Sequence, residues 1–179
     1  MSELKTTLSR KEQEKIKPAP EDLIPLCLDG DMQKNALYFT AYLRTNKNKL
    51  VWFGCNAWKI NCKGRPLCGL SANGLDIKND NRVYNWFIIL NLIHLHEYEH
   101  LIENEKIKTV IQDSCRICNH CNPKCAGKIT KTVFNKEIKG TCRWYHSAAG
   151  NIYVGDPDKA TVEGISELLE LEQRAREEK

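Results

Sequence analysis

Met32, Ala36, Phe39 and Leu43 recur every three or four residues, which is the period of one helix face. That spacing predicts a helix through about Thr45, with Asp31, just after Asp29-Gly30, as its N-cap. The pattern then turns strand-like. Leu50–Phe53 and Asn56–Cys62 are rich in aromatic and β-branched residues, and Lys63-Gly64 is a plausible hairpin turn into Pro66–Leu70. Ser71–Asn81 is polar, with Asn73-Gly74 as a turn signal, and Val83–Leu92 is the most apolar run, the expected central strand. Helical spacing returns in Glu97–Asn104, where Tyr98, Leu101 and Ile102 share a face. Ile129–Phe134 and Glu137–Thr141 read as a second hairpin. Val162, Ile165, Leu168 and Leu169 line one face of a final helix, for which Asp156 is the expected N-cap and Pro157 the first helical residue.

Helix, antiparallel strands, then helix predicts an α+β fold: an antiparallel sheet flanked by helices, with a Cys-rich metal-clasped module and a C-terminal amphipathic helix. Residues 1–20 read as a flexible charged arm. Ser9 and Glu12 have capping-box spacing for a short helix, and Lys17-Pro-Ala-Pro20 disfavours its continuation. Residues 21–112 form the expected core, 113–155 the metal-binding module, and 156–179 a helix packing on the core.

Composition narrows the class. The chain of 179 residues is 41% hydrophobic and 28% charged, which suits one sizeable core with a small appended module. Its longest apolar stretch, Trp86–Leu95, is broken by Asn91 and His94, so no membrane partner is expected. No apolar leader follows Met1, and the expected location is cytoplasmic. In a reducing compartment, clustered cysteines are metal ligands or redox thiols rather than a disulfide framework, and nine cysteines cannot all pair.

Four of those cysteines, Cys115, Cys118, Cys121 and Cys125, stand at C-x2-C-x2-C-x3-C spacing, and Cys142 follows. Thiolates packed that closely repel one another unless a cation or cluster lies between them. Zn²⁺ takes four tetrahedral ligands: Cys115 and Cys118 can form a knuckle, Cys121 or Cys125 supply a third ligand, and Cys142 the fourth after the hairpin, with His120 and His146 as spare donors. A [4Fe–4S] cluster is the alternative, because the same spacing is the bacterial ferredoxin run. Against it, Ala126 replaces the proline expected after the last cysteine, and only one run is present. Five available thiols imply a closed site, which is a structural clasp rather than a reaction centre.

Charge is unevenly spread. Residues 116–143 carry seven basic side chains against one acid, whereas residues 156–179 carry eight acids against four bases. Arg116, Lys124, Lys128, Lys131 and Arg143 are candidate phosphate contacts, with Trp144 and Tyr145 available for stacking, so a nucleic-acid-binding module is one reading. Neutralisation of a four-thiolate zinc site, net −2, explains the same residues, and nucleic acid is therefore not favoured as partner.

His96-Glu97-Tyr98-Glu99-His100 matches H-E-x-x-H, in which His96 and His100 share one face of a helix around zinc and Glu97 is the general base. Glu99 places a charge inside the motif and no third ligand follows at the usual spacing, so solvated helix residues account for it more simply than a zinc metallopeptidase does. Cys27, Cys55, Cys62 and Cys68 lack knuckle spacing and read as small core hydrophobes. Trp52, Trp58 and Trp86 read as core.

Asp22–Leu37, Asn56–Lys59, Glu97–Ile102 and Val133–Cys142 resemble a family of uncharacterised small cytosolic proteins of low-GC Gram-positive bacteria, over roughly residues 22–171. The resemblance implies a cytosolic protein and carries over no activity or catalytic residue. It also implies fewer clustered cysteines, so that one of Cys121 and Cys125 can be spared. The expected protein is non-enzymatic, holds Zn²⁺ (alternatively a [4Fe–4S] cluster, with an electron-transfer or redox-sensing role), and acts by binding or regulation on an unidentified small molecule or protein.

Overall fold

The computed structural model describes residues 8–72, 75–77, 82–115, 128–142 and 152–178. Three helices open the chain: α1 (Arg10–Ile16), α2 (Pro20–Cys27) and α3 (Gly30–Thr45). Ser9 and Glu12 close the capping box of α1, with Ser9 N donating to Glu12 Oε2 at 2.8 Å. The described part of the expected arm is thus helical and fastened. Buried Gln13 donates from Nε2 to Asn56 Oδ1 at 2.6 Å, and its Oε1 accepts from the Asn56 amide at 2.8 Å. Pro20, which sequence reading takes as a barrier, is the first residue of α2, where a missing N–H costs nothing. Helix α3 begins at Gly30 after Asp29, so Asp31 sits in its first turn rather than at the cap.

Five strands form the main antiparallel sheet: β1 (Leu50–Gly54), β2 (Ala57–Cys62), β3 (Arg65–Ser71), β6 (Phe87–Leu90) and β9 (Ile152–Gly155), in the order β1-β2-β3-β6-β9. Between β3 and β6 runs a small hairpin, β4 (Leu75–Ile77) with β5 (Arg82–Tyr84), which the polar sequence there does not announce. The expected strand Val83–Leu92 is therefore two strands. Asp156 divides them: its carboxylate accepts from the amides of Asn85 and Trp86, both at 3.0 Å, and bends the chain there. That role takes Asp156, at φ 43°, away from the helix cap it was expected to be. Asp158 caps the final helix α6 (Lys159–Glu177) instead, accepting from Thr161 N at 2.9 Å.

Register fixes which side chains face inward, because alternate residues of a strand point to opposite faces. Leu50, Ile60, Cys68, Leu90 and Ile152 lie in one row across the sheet, and Trp58, Leu70, Ile88 and Val154 in the next. All are buried, in one cluster with Leu23 and Ile24 of α2, Phe39 and Leu43 of α3, and Ile165, Leu168 and Leu169 of α6. On the other face, Val51 is exposed, while Lys59, Ile89 and Tyr153 are half-buried. Gly155 has a packing reason, since a Cβ there would lie 1.9–2.2 Å from ring carbons of Tyr84.

The segment after β6 departs most from expectation. Instead of one helix over Glu97–Asn104, α4 (Leu95–Tyr98) tightens into a 3-10 turn, Glu99–Leu101. Asn104 then starts a separate helix, α5 (Glu105–Ser114), by accepting from Ile107 N at 3.2 Å. Helix α5 packs against α6 where Gly164 leaves room for Ile107, whose side chain a Cβ would meet at 2.2 Å. A second hairpin follows, β7 (Lys128–Val133) with β8 (Lys136–Cys142). Ile152–Gly155, the end of the expected module, belongs to the main sheet. Among the described residues, no helix is long and apolar enough to cross a membrane.

Candidate metal centre

The cysteine segment is held at both ends by ordinary backbone pairing. At its start, Cys115 ends α5 and forms an isolated antiparallel bridge with Ile152. At its far side, Lys128 pairs with Cys142 across the β7–β8 hairpin. Cys118, Cys121, Cys125, Arg116, Lys124, Arg143, Trp144, Tyr145, His120 and His146 lie outside the described residues. Lys128, Lys131 and Cys142 are described as strand backbone.

The tip of that hairpin is fastened to the body. Phe134 and Asn135 both have positive φ, 48° and 61°, the backbone of a type I′ turn. A phenylalanine rarely adopts it, and three hydrogen bonds hold it there. Gln112 Nε2 donates to the carbonyls of Val133 and Phe134 at 3.0 and 3.1 Å, and the Phe134 amide donates to Glu99 Oε2 at 3.1 Å. Val133 is fully buried in the core cluster, with Phe134 and Ile138 packed against it. Lys136 Nζ lies 3.3 Å from Asp113 Oδ1. The hairpin is thus anchored at its tip, and its open end carries Cys142.

Cys115 is only 7% exposed and belongs to the core cluster. Its Sγ donates to the Ile111 carbonyl at 3.1 Å. Cys68 is likewise a core thiol, and burial pushes its pKa well above the usual range. Cys27, Cys55 and Cys62 are half-buried. Trp58 and Trp86 are fully buried, whereas Trp52 is half-buried against the core.

The H-E-x-x-H residues do not share one helix. His96 and Glu97 belong to α4, and His100 to the 3-10 turn. Glu97 Oε1 is 2.9 Å from His94 Nδ1 and 3.6 Å from His96 Nε2, while the His96 side chain is 65% exposed. His100 instead lines a cleft of about 370 Å³ with Glu99, Glu105, Lys108, Phe134 and Asn135. Among the described residues, no group of three or more His, Cys, Asp or Glu is placed to hold a metal ion.

Sequence reading passes over a buried polar network beside these elements. Glu172, fully buried on α6, accepts from Arg176 Nε at 2.7 Å, from Tyr98 Oη at 2.9 Å and from the His94 amide at 3.1 Å. Arg176 also donates from its two terminal nitrogens to the carbonyls of Pro66 (3.0 Å) and Asn91 (2.6 Å). Burial, and the carboxylate beside it, raise the Tyr98 phenol far above its ordinary range. The signal was periodic: Ile165, Leu168, Glu172 and Arg176 continue a single helix stripe, so both charges fall on the inward face.

Fold and candidate site together describe an α+β body to which the lysine-rich β7–β8 hairpin is fastened by its tip. The chain matches no protein-family model, and no curated protein and no solved structure is significantly similar to it.

Proposed function

We propose that this is a zinc-clasped binding or regulatory protein without catalytic activity, in which four of the five clustered thiolates close a tetrahedral Zn²⁺ site. The observation that carries the reading is the pairing of Lys128 with Cys142. Neighbouring strands are about 4.8 Å apart and three residues span at most about 10 Å, so Cys125 and Cys142 can reach one ion with zinc–sulfur distances of about 2.3 Å. The donor set fits the ion: soft thiolates in number enough to fill every coordination position. A filled site leaves no place for substrate or activated water, and so it fastens the chain. Metal binding of this kind contributes folding free energy directly.

The net −2 of a four-thiolate site lies beside the bases of residues 116–143, which offset it and leave a basic surface for the partner, a small molecule or a protein. The ferredoxin-like spacing favours one second reading, a [4Fe–4S] cluster in electron transfer or redox sensing. Metal analysis of anaerobically purified protein separates the two. Colourless protein with one zinc per chain, lost on Cys142→Ser, is the expected result. Brown protein containing iron and acid-labile sulfide would sink the zinc reading.

A further inference from the structure

The chain steps sideways after the 3-10 turn: Ile102 is extended and Asn104 opens α5. That step leaves a groove of about 280 Å³ beside α6. Leu101, Ile102, Ile107 and Leu171 give it an apolar lining, and the exposed Glu103 and Glu167 form its rim. We infer that this groove docks a segment of a partner protein in which one aliphatic side chain is flanked by lysine or arginine. None of the groove's residues belongs to the cysteine segment, so the inference does not depend on the zinc reading.

Shape and size define the anchor. A single exposed leucine is ordinary on a protein surface. Leu101, however, is 57% exposed while it walls a concave groove whose Ile102 and Ile107 are buried, which is the setting in which an apolar anchor packs. A cavity of about 150 Å³ already holds a benzene-sized group, whereas sites for drug-sized ligands begin near about 300 Å³. The groove therefore takes one anchor side chain rather than a cofactor.

Charge defines the flanks. Every cation of α5 and α6 is already paired: Lys106 with Asp158, Lys108 with Glu105, and Lys159, Arg174 and Arg176 with acids of α6 itself. Glu103 and Glu167 enter no ion pair among the described residues, so the rim presents two uncompensated carboxylates. Such a rim repels nucleic acid and anionic lipid. It also disfavours a second copy of this chain, because an isologous contact would bring the same carboxylates together. A basic segment is drawn to the rim and held by its aliphatic anchor.

The test selects random peptides displayed on phage against the full-length protein, discarding those that also bind the Leu101→Glu variant. A consensus of one leucine, isoleucine or valine between lysines or arginines is the expected result. The best peptide is then synthesised and titrated into ¹⁵N-labelled wild-type protein. Amide shifts should move at Leu101, Glu103, Ile107 and Glu167 and stay in place at Ile60 and Ile88 of the sheet. Replacing the peptide's anchor by alanine should weaken binding about tenfold or more. Glu103→Gln combined with Glu167→Gln should weaken it about threefold or more and remove most of the loss that added salt causes. These titrations of the wild-type chain stand even where Leu101→Glu fails to fold, and Glu103→Lys with Glu167→Lys then serves for the counter-selection. No enrichment, an acidic consensus, shifts confined to another surface, or an affinity indifferent to the anchor would each overturn the inference.

Discussion

Glu172 and Arg176 stand one helical turn apart with the carboxylate fully buried and the guanidinium side chain 4% exposed. Taking two ions out of water is repaid only when further hydrogen bonds support the pair, and here Tyr98 and the His94 amide donate to the carboxylate while the Pro66 and Asn91 carbonyls accept from the guanidinium. Removing one partner leaves the other charged and unpaired in the core. Glu172→Ala should accordingly cost about 3–5 kcal/mol in urea unfolding. Glu172→Leu combined with Arg176→Met should cost less than Glu172→Ala alone, because it leaves no orphaned charge. A loss below about 1 kcal/mol for Glu172→Ala would show that the pair is dispensable. Gly155 presents the opposite problem, a missing atom. Gly155→Ala must displace the Tyr84 ring, at about 1–3 kcal/mol, and Tyr84→Ala in the same chain should recover part of that loss.

Among the elements, α6 depends most visibly on a single end. Asp158 accepts from Thr161 N and from Lys106 Nζ (2.8 Å), and these bonds lower its pKa to about 2. Its folded value lies below the unfolded one of about 3.9, so its contribution is present above the unfolded pKa and is lost as pH falls through about 2. Asp158→Ala should lower stability by about 1 kcal/mol at neutral pH. Melting curves of the two proteins should converge between about pH 4 and pH 2; a difference unchanged across that window would assign the effect to something other than the carboxylate.

Elements with a strong local signal were legible in the sequence. The period of α3, the Lys63-Gly64 turn, the β7–β8 hairpin and the amphipathic face of α6 all stand where their residues predict. What escaped depended on distant partners. Gln13 and Asn56 are 43 residues apart, and nothing local tells that one will bury itself against the other. Asp156 precedes a proline and reads as a helix cap, but the amides it serves are some seventy residues earlier. The H-E-x-x-H match is lost because Asn104 opens a new helix just downstream, and four residues of α4 cannot carry both histidines. The spacing of the cysteines was plain.

At the scale of the whole molecule, the proposed zinc site would make two kinds of fastening hold different regions. The sheet β1-β2-β3-β6-β9 closes on a core of large apolar side chains, and its order relies on hydrophobic burial. Residues 116–127 contain three cysteines and two basic side chains but only Ile117 and Ala126 as other apolar residues, too little to pack a core of their own. On the zinc reading, that segment takes its order from the metal, while the hairpin beside it is pinned at its tip by Val133, Gln112 and Glu99. Chelation under reducing conditions should therefore act unequally. Hydrogen exchange should accelerate at Lys128, Ile129, Thr141 and Cys142, the open end of the hairpin, and change little at Val133. Amides of Ile60, Leu70 and Ile88 in the sheet should keep their protection, because their burial does not pass through the metal. Equal loss of protection across both regions would mean that metal and core form one cooperative unit, and would remove the distinction between a clasp and the body it closes.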